Sequence, residues 1–180
     1  DIKHEVDVFE DLAIAYGYHN IIPELVPTMT VGNPRPEEKI SEVARQIMIG
    51  LGFQEIMSLA LTTEVNHFTH LRVKPGQEHA LLANSKAADY NILRCHLMTG
   101  LMESLAKNRH KATPQRYFEL GNVVYADPNC GSETHTREER HLAFAIIGSD
   151  TGYAEIRSVL DAILCELGKT VVYQSFVHPT

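Results

Sequence analysis

Asp7, Glu10 and Asp11 stand at i, i+3 and i+4, a spacing that sets three carboxylates on one face of a helix. Asp1 lies upstream, where an incoming strand could bring it alongside. Like charges so spaced repel by about 0.2–0.5 kcal/mol per pair unless a cation sits among them. Hard oxygen donors with no His or Cys in the set suit Mg²⁺. The other reading is a solvated acidic face, common on any protein. His67 and His70 are one helical turn apart, but zinc calls for a third ligand and usually i, i+4 spacing, so surface and capping roles are expected for them. Lys107, Arg109, His110 and Lys111 form a basic cluster that reads either as an RNA-facing patch or as a solvated helix end favoured by the dipole.

The elements that must position these groups follow from periodicity. Phe9, Leu12, Ala13 and Tyr16 mark a helix over 6–17, with Gly17 placed to end it. Four prolines between 20 and 36 predict an extended linker. Pro36, Glu37 and Glu38 open a second helix over 37–51, with Ile40, Val43, Ala44, Ile47, Met48 and Leu51 on its apolar side and Gly52 at its close. The apolar run from Phe53 to Thr62 predicts one strand buried on both faces. A short helix from Thr62 or Thr63 to His70, a turn at 74–77 and a strand from His79 to Ala83 come next. The loop 84–91 leads to Leu93-Arg94, and Lys86 and Arg94 are expected to anchor it.

Met98, Leu101, Met102 and Leu105 place one apolar face on a third helix, which Pro114 stops. Arg116 to Tyr125 reads as a strand bent at Gly121 or as a tight strand pair. A polar loop over 127–139, a buried strand over 141–148, a helix carrying Ile156, Val159, Leu160, Ile163, Leu164 and Leu167, and a strand from Val171 to Val177 complete the pattern.

Composition bounds the function. With 180 residues, 44% of them hydrophobic, the chain can bury a substantial core. Its formal net charge of -7 argues against a general polyphosphate-binding surface. No apolar run approaches the roughly 20 residues that span a bilayer, so no membrane partner and a soluble, cytoplasmic protein are expected. The chain opens on Asp rather than Met, directly into patterned sequence, and reads as a fragment of something longer. Cys95, Cys130 and Cys165 lie too far apart in sequence for a paired metal motif or a disulfide framework, and are expected to be reduced and structural.

The helix-then-strand stretch NILRCHLMTGLMESLAKNRHKATPQRYFELGNVV resembles the synthetase-like domain of phenylalanine–tRNA ligase β subunits. DIKHEVDVFEDLAIAYGYHNI, KISEVARQIMIGLGFQEIMSLALT and QSFVHPT extend the likeness, in order, over nearly the whole chain. The resemblance implies an α+β fold of the class II aminoacyl-tRNA synthetase type, a largely antiparallel sheet flanked by helices. It divides the chain into the end of a B5-like module (1–22), a linker (23–36) and the synthetase-like domain (37–180), truncated before the third signature motif. It puts Asp1, Asp7, Glu10 and Asp11 on the four positions of a magnesium-binding pattern, Asp11 standing where Glu is usual.

The same resemblance implies a non-catalytic part. The first signature motif wants a proline near Leu59 and has none. Aligning Glu119-Leu120-Gly121 with the turn of the second motif puts Tyr125 where an arginine would grip the ATP α-phosphate, and a phenol cannot supply that charge. No catalytic residue and no cofactor-binding residue is assigned. The implied partner is the catalytic α subunit, in an (αβ)₂ assembly that uses ATP and Mg²⁺ to attach phenylalanine to tRNA(Phe), with the helix at 37–51 and the following strand as candidate interface. Two alternatives stand beside this: an active class II ligase-like or amino-acid-binding domain, in which Arg116 or Arg94 takes the arginine's role, and an unrelated scaffold domain.

Overall fold

The computed structural model describes residues 2–76, 79–85 and 90–175. It divides into two compact units, Asp1–Pro34 and Arg35–Thr180. In the first unit, helix α1 runs over Glu5–Tyr16 and a 3₁₀ turn over Tyr18–Asn20 follows. Gly17 ends α1 at φ 92°, backbone that favours glycine, and its N–H bonds to Ala13 O. No residue of α1 is buried: Phe9, Leu12 and Tyr16, the expected apolar stripe, are 60–66% exposed.

The second unit is built on two long strands, β4 (Gln115–Ala126) and β5 (Thr136–Ile147), paired antiparallel along their whole lengths from Gln115↔Ile147 to Ala126↔Thr136. A two-residue strand β1 (Gln54–Glu55) joins β4 in parallel, so this three-stranded sheet is mixed, in the order β1-β4-β5. Strands β2 (Leu61–Thr62) and β3 (Ile92–Leu93) form a separate antiparallel pair.

Period-two alternation sorts β4 and β5 into faces. Phe118, Leu142, Phe144 and Ile146 pack with Met48 and Phe53, and with Val159 and Ile163 of helix α4 (Tyr153–Glu166). Met48 belongs to helix α2 (Pro36–Gly50), which starts with proline and two glutamates and ends before Gly52 at φ 80°. Tyr117, Ala143 and Ala145 face the other way, onto Leu101 and Leu105 of helix α3 (Met98–Lys107). Two helices on one face and one on the other make a three-layer α+β arrangement. Fully burying a side chain such as Phe118 contributes about 1.5–3 kcal/mol, so the layers are held mainly by these clusters.

Several predicted elements take a different form. The run from Phe53 to Thr62 is two short strands in two sheets, with Met57 93% and Leu59 71% exposed between them. The cause is visible in the hydrogen bonds. Ile56 N still donates to Phe118 O of β4 at 2.8 Å, but Ser58 N donates to the Glu119 carboxylate at 3.1 Å, and the ladder ends there. The expected helix to His70 is a π-helical turn, Val65–Thr69, closed by His70 N to Val65 O at 2.9 Å. His79 and Leu81 form isolated bridges rather than a strand.

Gly121 neither bends nor breaks β4, which pairs without interruption through Gly121↔His141; no turn exists at Glu119-Leu120-Gly121. β5 begins at Thr136, inside the stretch expected to be loop, because the Arg-Glu-rich segment completes the ladder to Ala126. Residues 171–175 form no strand, and the remainder of that predicted strand, like Lys86 and Gln77, lies outside the described residues.

Candidate functional site

Two polar clusters occupy the α3 side of the sheet. Arg94, directly after β3, is 7% exposed and Glu119, in the middle of β4, is 1% exposed. Arg94 Nη1 donates to Glu119 Oε1 at 2.5 Å and to Ser58 Oγ at 2.9 Å, while Nε donates to Asn122 O at 2.9 Å. Ser58 Oγ donates to Glu119 Oε2 at 2.7 Å. A buried charge is tolerated only when paired and hydrogen-bonded, and here both ions are. The Arg94 backbone continues the stitching: its N–H goes to Ala60 O and its carbonyl accepts from Val124 N, each at 2.9 Å.

Two glycines make room for this group. A Cβ on Gly121 would collide with the Arg94 guanidinium, and one on Gly100 with the Ser58 hydroxyl. Glycine at 121 therefore serves a close approach, in a strand whose backbone is otherwise regular. A cavity of about 250 Å³ adjoins the network, lined among others by Met57, Ser58, Arg94, His96, Thr99 and Lys107.

The second cluster is His67, Cys95, His96 and Thr99. The π-helical turn delivers His67, which is fully buried, and its ring stacks on His96 with centroids 3.7 Å apart. His67 Nε2 accepts the Cys95 amide and faces Cys95 Sγ, each at 3.1 Å; Nδ1 lies 2.9 Å from Thr99 Oγ1. Acceptance at Nε2 places the proton on Nδ1, which then donates to Thr99. Burial, helped by His96, His79 and Arg94, pushes the His67 pKa down to about 4. Burial also lowers that of His96, against an opposing pull from the backbone groups of His67 and of His96 itself. Both rings are neutral at pH 7. None of the three cysteines is in a disulfide.

Of the expected acidic site, Asp7, Glu10 and Asp11 lie on α1. Asp1 lies outside the described residues. Asp7 acts as part of a capping box: its Oδ2 accepts the amides of Lys3 at 2.8 Å and His4 at 2.9 Å, and these bonds hold its carboxyl below the usual range. Among the described residues, the group of His, Cys, Asp and Glu atoms close enough to share one ion is His67, Cys95 and His96, and Asp7, Glu10 and Asp11 form none.

The arginines weighed as phosphate ligands are both paired with carboxylates of this chain, Arg94 buried and Arg116 partly exposed. Arg94 is committed as described, and Arg116 pairs with Glu155 and donates to Leu51 O at 3.3 Å. Tyr125, at the end of β4, lies under the Arg137 guanidinium, 5.3 Å from centroid to Cζ. On α2, Ala44 and Met48 are buried, whereas Ile40 and Val43 are 61% and 49% exposed.

Sequence reasoning pointed to Arg94 as an anchor but missed Glu119 and Ser58. The available signal was a lone ionisable or polar residue inside each of two apolar strand patterns. The histidine cluster left no local signal, since His67 and Cys95-His96 are far apart in sequence.

Comparison with known proteins agrees with the arrangement of unit two. Residues 22–180 match the family model described as "Phenylalanyl tRNA synthetase beta chain CLM domain". The phenylalanine–tRNA ligase beta subunit of Archaeoglobus fulgidus is 39% identical over 172 residues, covering 94% of this chain and 30% of the relative. That of Pyrococcus furiosus is 35% identical over 178 residues, 99% of this chain and 32% of the relative. The chain thus spans about a third of the length of these relatives. Among solved structures, a pyrrolysyl tRNA synthetase from Desulfitobacterium hafniense superposes with a TM-score of 0.60 at 15% identity, over 75% of this chain and 48% of that one. That likeness concerns the fold alone. No helix among the described residues is long and apolar enough to cross a membrane.

Proposed function

The chain belongs to the phenylalanyl-tRNA synthetase beta-chain family, and from that premise we propose that it is a non-catalytic, structural part of a phenylalanine–tRNA ligase β subunit, with a class II synthetase-like fold. Its role is to pair with the catalytic α subunit, in an (αβ)₂ assembly that acts in the cytoplasm and uses ATP and Mg²⁺ to attach phenylalanine to tRNA(Phe). The observation that carries the non-catalytic reading is the commitment of Arg94 and Arg116 to Glu119 and Glu155. A phosphate-gripping arginine must offer its planar fork to a ligand, whereas Arg94 ties the chain after β3 to β4 and Arg116 ties β4 to α4 and to the end of α2.

The proposed interface is the outer side of α2, where Ile40 and Val43 present apolar surface beside the buried Ala44 and Met48. The test is co-purification of the chain with a phenylalanine–tRNA ligase α subunit, with and without Ile40→Asp and Val43→Asp. Association of the unaltered chain, lost in a variant that stays folded, supports the proposal. Failure of the unaltered chain to associate, where a full-length β subunit does, overturns it. ATP binding by the chain alone would favour the ligase-like alternative.

Magnesium at Asp1, Asp7, Glu10 and Asp11 is proposed for the first unit on the spacing of the carboxylates. Asp7 already serves as a cap through Oδ2, so any metal contact from it falls to its other oxygen. Magnesium titration of the chain, followed by α1 helicity with and without Asp11→Asn, tests it. Unchanged response in the variant removes Asp11 from the set.

A further inference from the structure

We propose that Lys107, Arg109, His110 and Lys111, at the link from α3 to β4, form a contact site for the sugar–phosphate backbone of RNA. From Ser104 to Phe118 the sequence holds no Asp or Glu, although the chain as a whole carries 23 acidic residues against 16 Lys and Arg. All four residues are exposed. Among the described residues none of their side chains has an ion-pair or hydrogen-bond partner, whereas seven arginines elsewhere pair with carboxylates.

Basic residues after a helix often serve its unpaired carbonyls. Here amide groups of the chain already do so. Asn108 N donates to Ser104 O at 3.1 Å and to Leu105 O at 3.2 Å, and Asn108 Nδ2 donates to Ser104 O at 2.8 Å. Buried Gln115 closes the link: its Nε2 donates to Asn108 O at 3.0 Å and to Lys111 O at 3.2 Å, while Lys111 N donates to Asn108 O at 2.9 Å. The backbone of the link is thus held from within, so a ligand need not order it, and the cationic groups are left for an anion from outside.

The class of ligand follows from what surrounds the charges. Between Met98 and Ile147 no large hydrophobic side chain is exposed. A protein partner calls for apolar or aromatic anchors inside a polar rim, and a membrane surface for apolar groups that enter it. A phosphodiester backbone needs only the cations, its affinity coming from released counterions. Such contacts position an RNA without reading its bases. Lys111 also borders, with Gln54, Gln115 and Arg116, an open hollow of about 540 Å³ that gives the strand room. The proposed function assigns no RNA-facing residue to the chain, and this site does not depend on the α-subunit contact, so either can fail alone.

The test is fluorescence anisotropy of a labelled tRNA transcript titrated with the 180-residue chain at several salt concentrations. Expected is an affinity that falls with salt with a log–log slope of about 2–3, as three or four neutralised phosphates give. The triple variant Lys107→Ala, Arg109→Ala, Lys111→Ala should bind at least tenfold more weakly at low salt and lose most of that slope. Lys39→Ala, Lys74→Ala, Lys169→Ala removes the same charge from exposed residues elsewhere and should stay within twofold of the unaltered chain. Circular dichroism checks that both variants fold, and a tRNA of unrelated sequence should bind equally well. No binding at low salt, equal losses in the two triple variants, or displacement of the RNA by polyglutamate or anionic vesicles at matched charge would each overturn the proposal.

Discussion

Arg94 and Glu119 form a buried ion pair at 2.5 Å that ties the chain after β3 to the middle of β4, with Ser58 bonded to both. Breaking one side of such a pair leaves the other charge uncompensated, at a typical cost of 3–5 kcal/mol. Arg94→Met and Glu119→Leu should each destabilise the second unit by about that amount. The double substitution should cost clearly less than the two together, since it leaves no orphan charge. Urea unfolding of all four proteins measures the coupling. Strict additivity would show that the pair is incidental.

Gly121 and Arg94 supply an independent check. Because a Cβ at 121 would meet the guanidinium, Gly121→Ala should destabilise by about 1–3 kcal/mol, the range of overpacking in a well-filled core. In an Arg94→Met background most of that penalty should vanish, as thermal or urea unfolding would reveal. A penalty that persists there would instead place the cost in the β4 backbone.

Much of the second unit was legible from periodicity. Helices α2, α3 and α4 were marked by apolar residues at helical spacing, and Gly52 and Gly168, at φ 80° and 67°, do follow α2 and α4. Strands were harder, because a strand's partner is not written in its own residues. EIMSLALT reads as one buried strand until Glu119, distant in sequence, takes the amide of Ser58 and diverts it. Gly121 reads as a bend for the same reason, its real neighbour Arg94 being far along the chain. The polar start of β5 looked like loop because its side chains are solvated while its backbone pairs with the end of β4. The histidine cluster is wholly tertiary, and a scan for spaced ligand motifs passes over it.

His67 gives the protein a definite pH response. Its pKa falls from 6.5 to about 4 on folding, so between those values the unfolded chain takes up a proton that the folded ring refuses. Stability from this group is complete above about pH 6.5 and falls by roughly 1.4 kcal/mol per unit as the pH drops towards 4, below which the loss is constant. Urea midpoints measured at several pH values should show this slope, with a smaller one in His67→Asn. Equal slopes would mean that other groups carry the acid response.

The two sides of α2 should respond oppositely to charge, a difference that the α-subunit assay requires. Ile47 packs against the cluster of Met48, Phe53 and Phe118, so Ile47→Asp places an unpaired carboxylate against that core and should unfold the second unit or cost several kcal/mol, as buried unpaired charges do. Ile40, 61% exposed, has no such environment, and Ile40→Asp should stay within about 0.5 kcal/mol of the unaltered chain. Urea unfolding by circular dichroism separates the two. If Ile40→Asp proves as damaging as Ile47→Asp, the outer side of α2 belongs to the fold, and lost association in that variant would no longer speak for an interface.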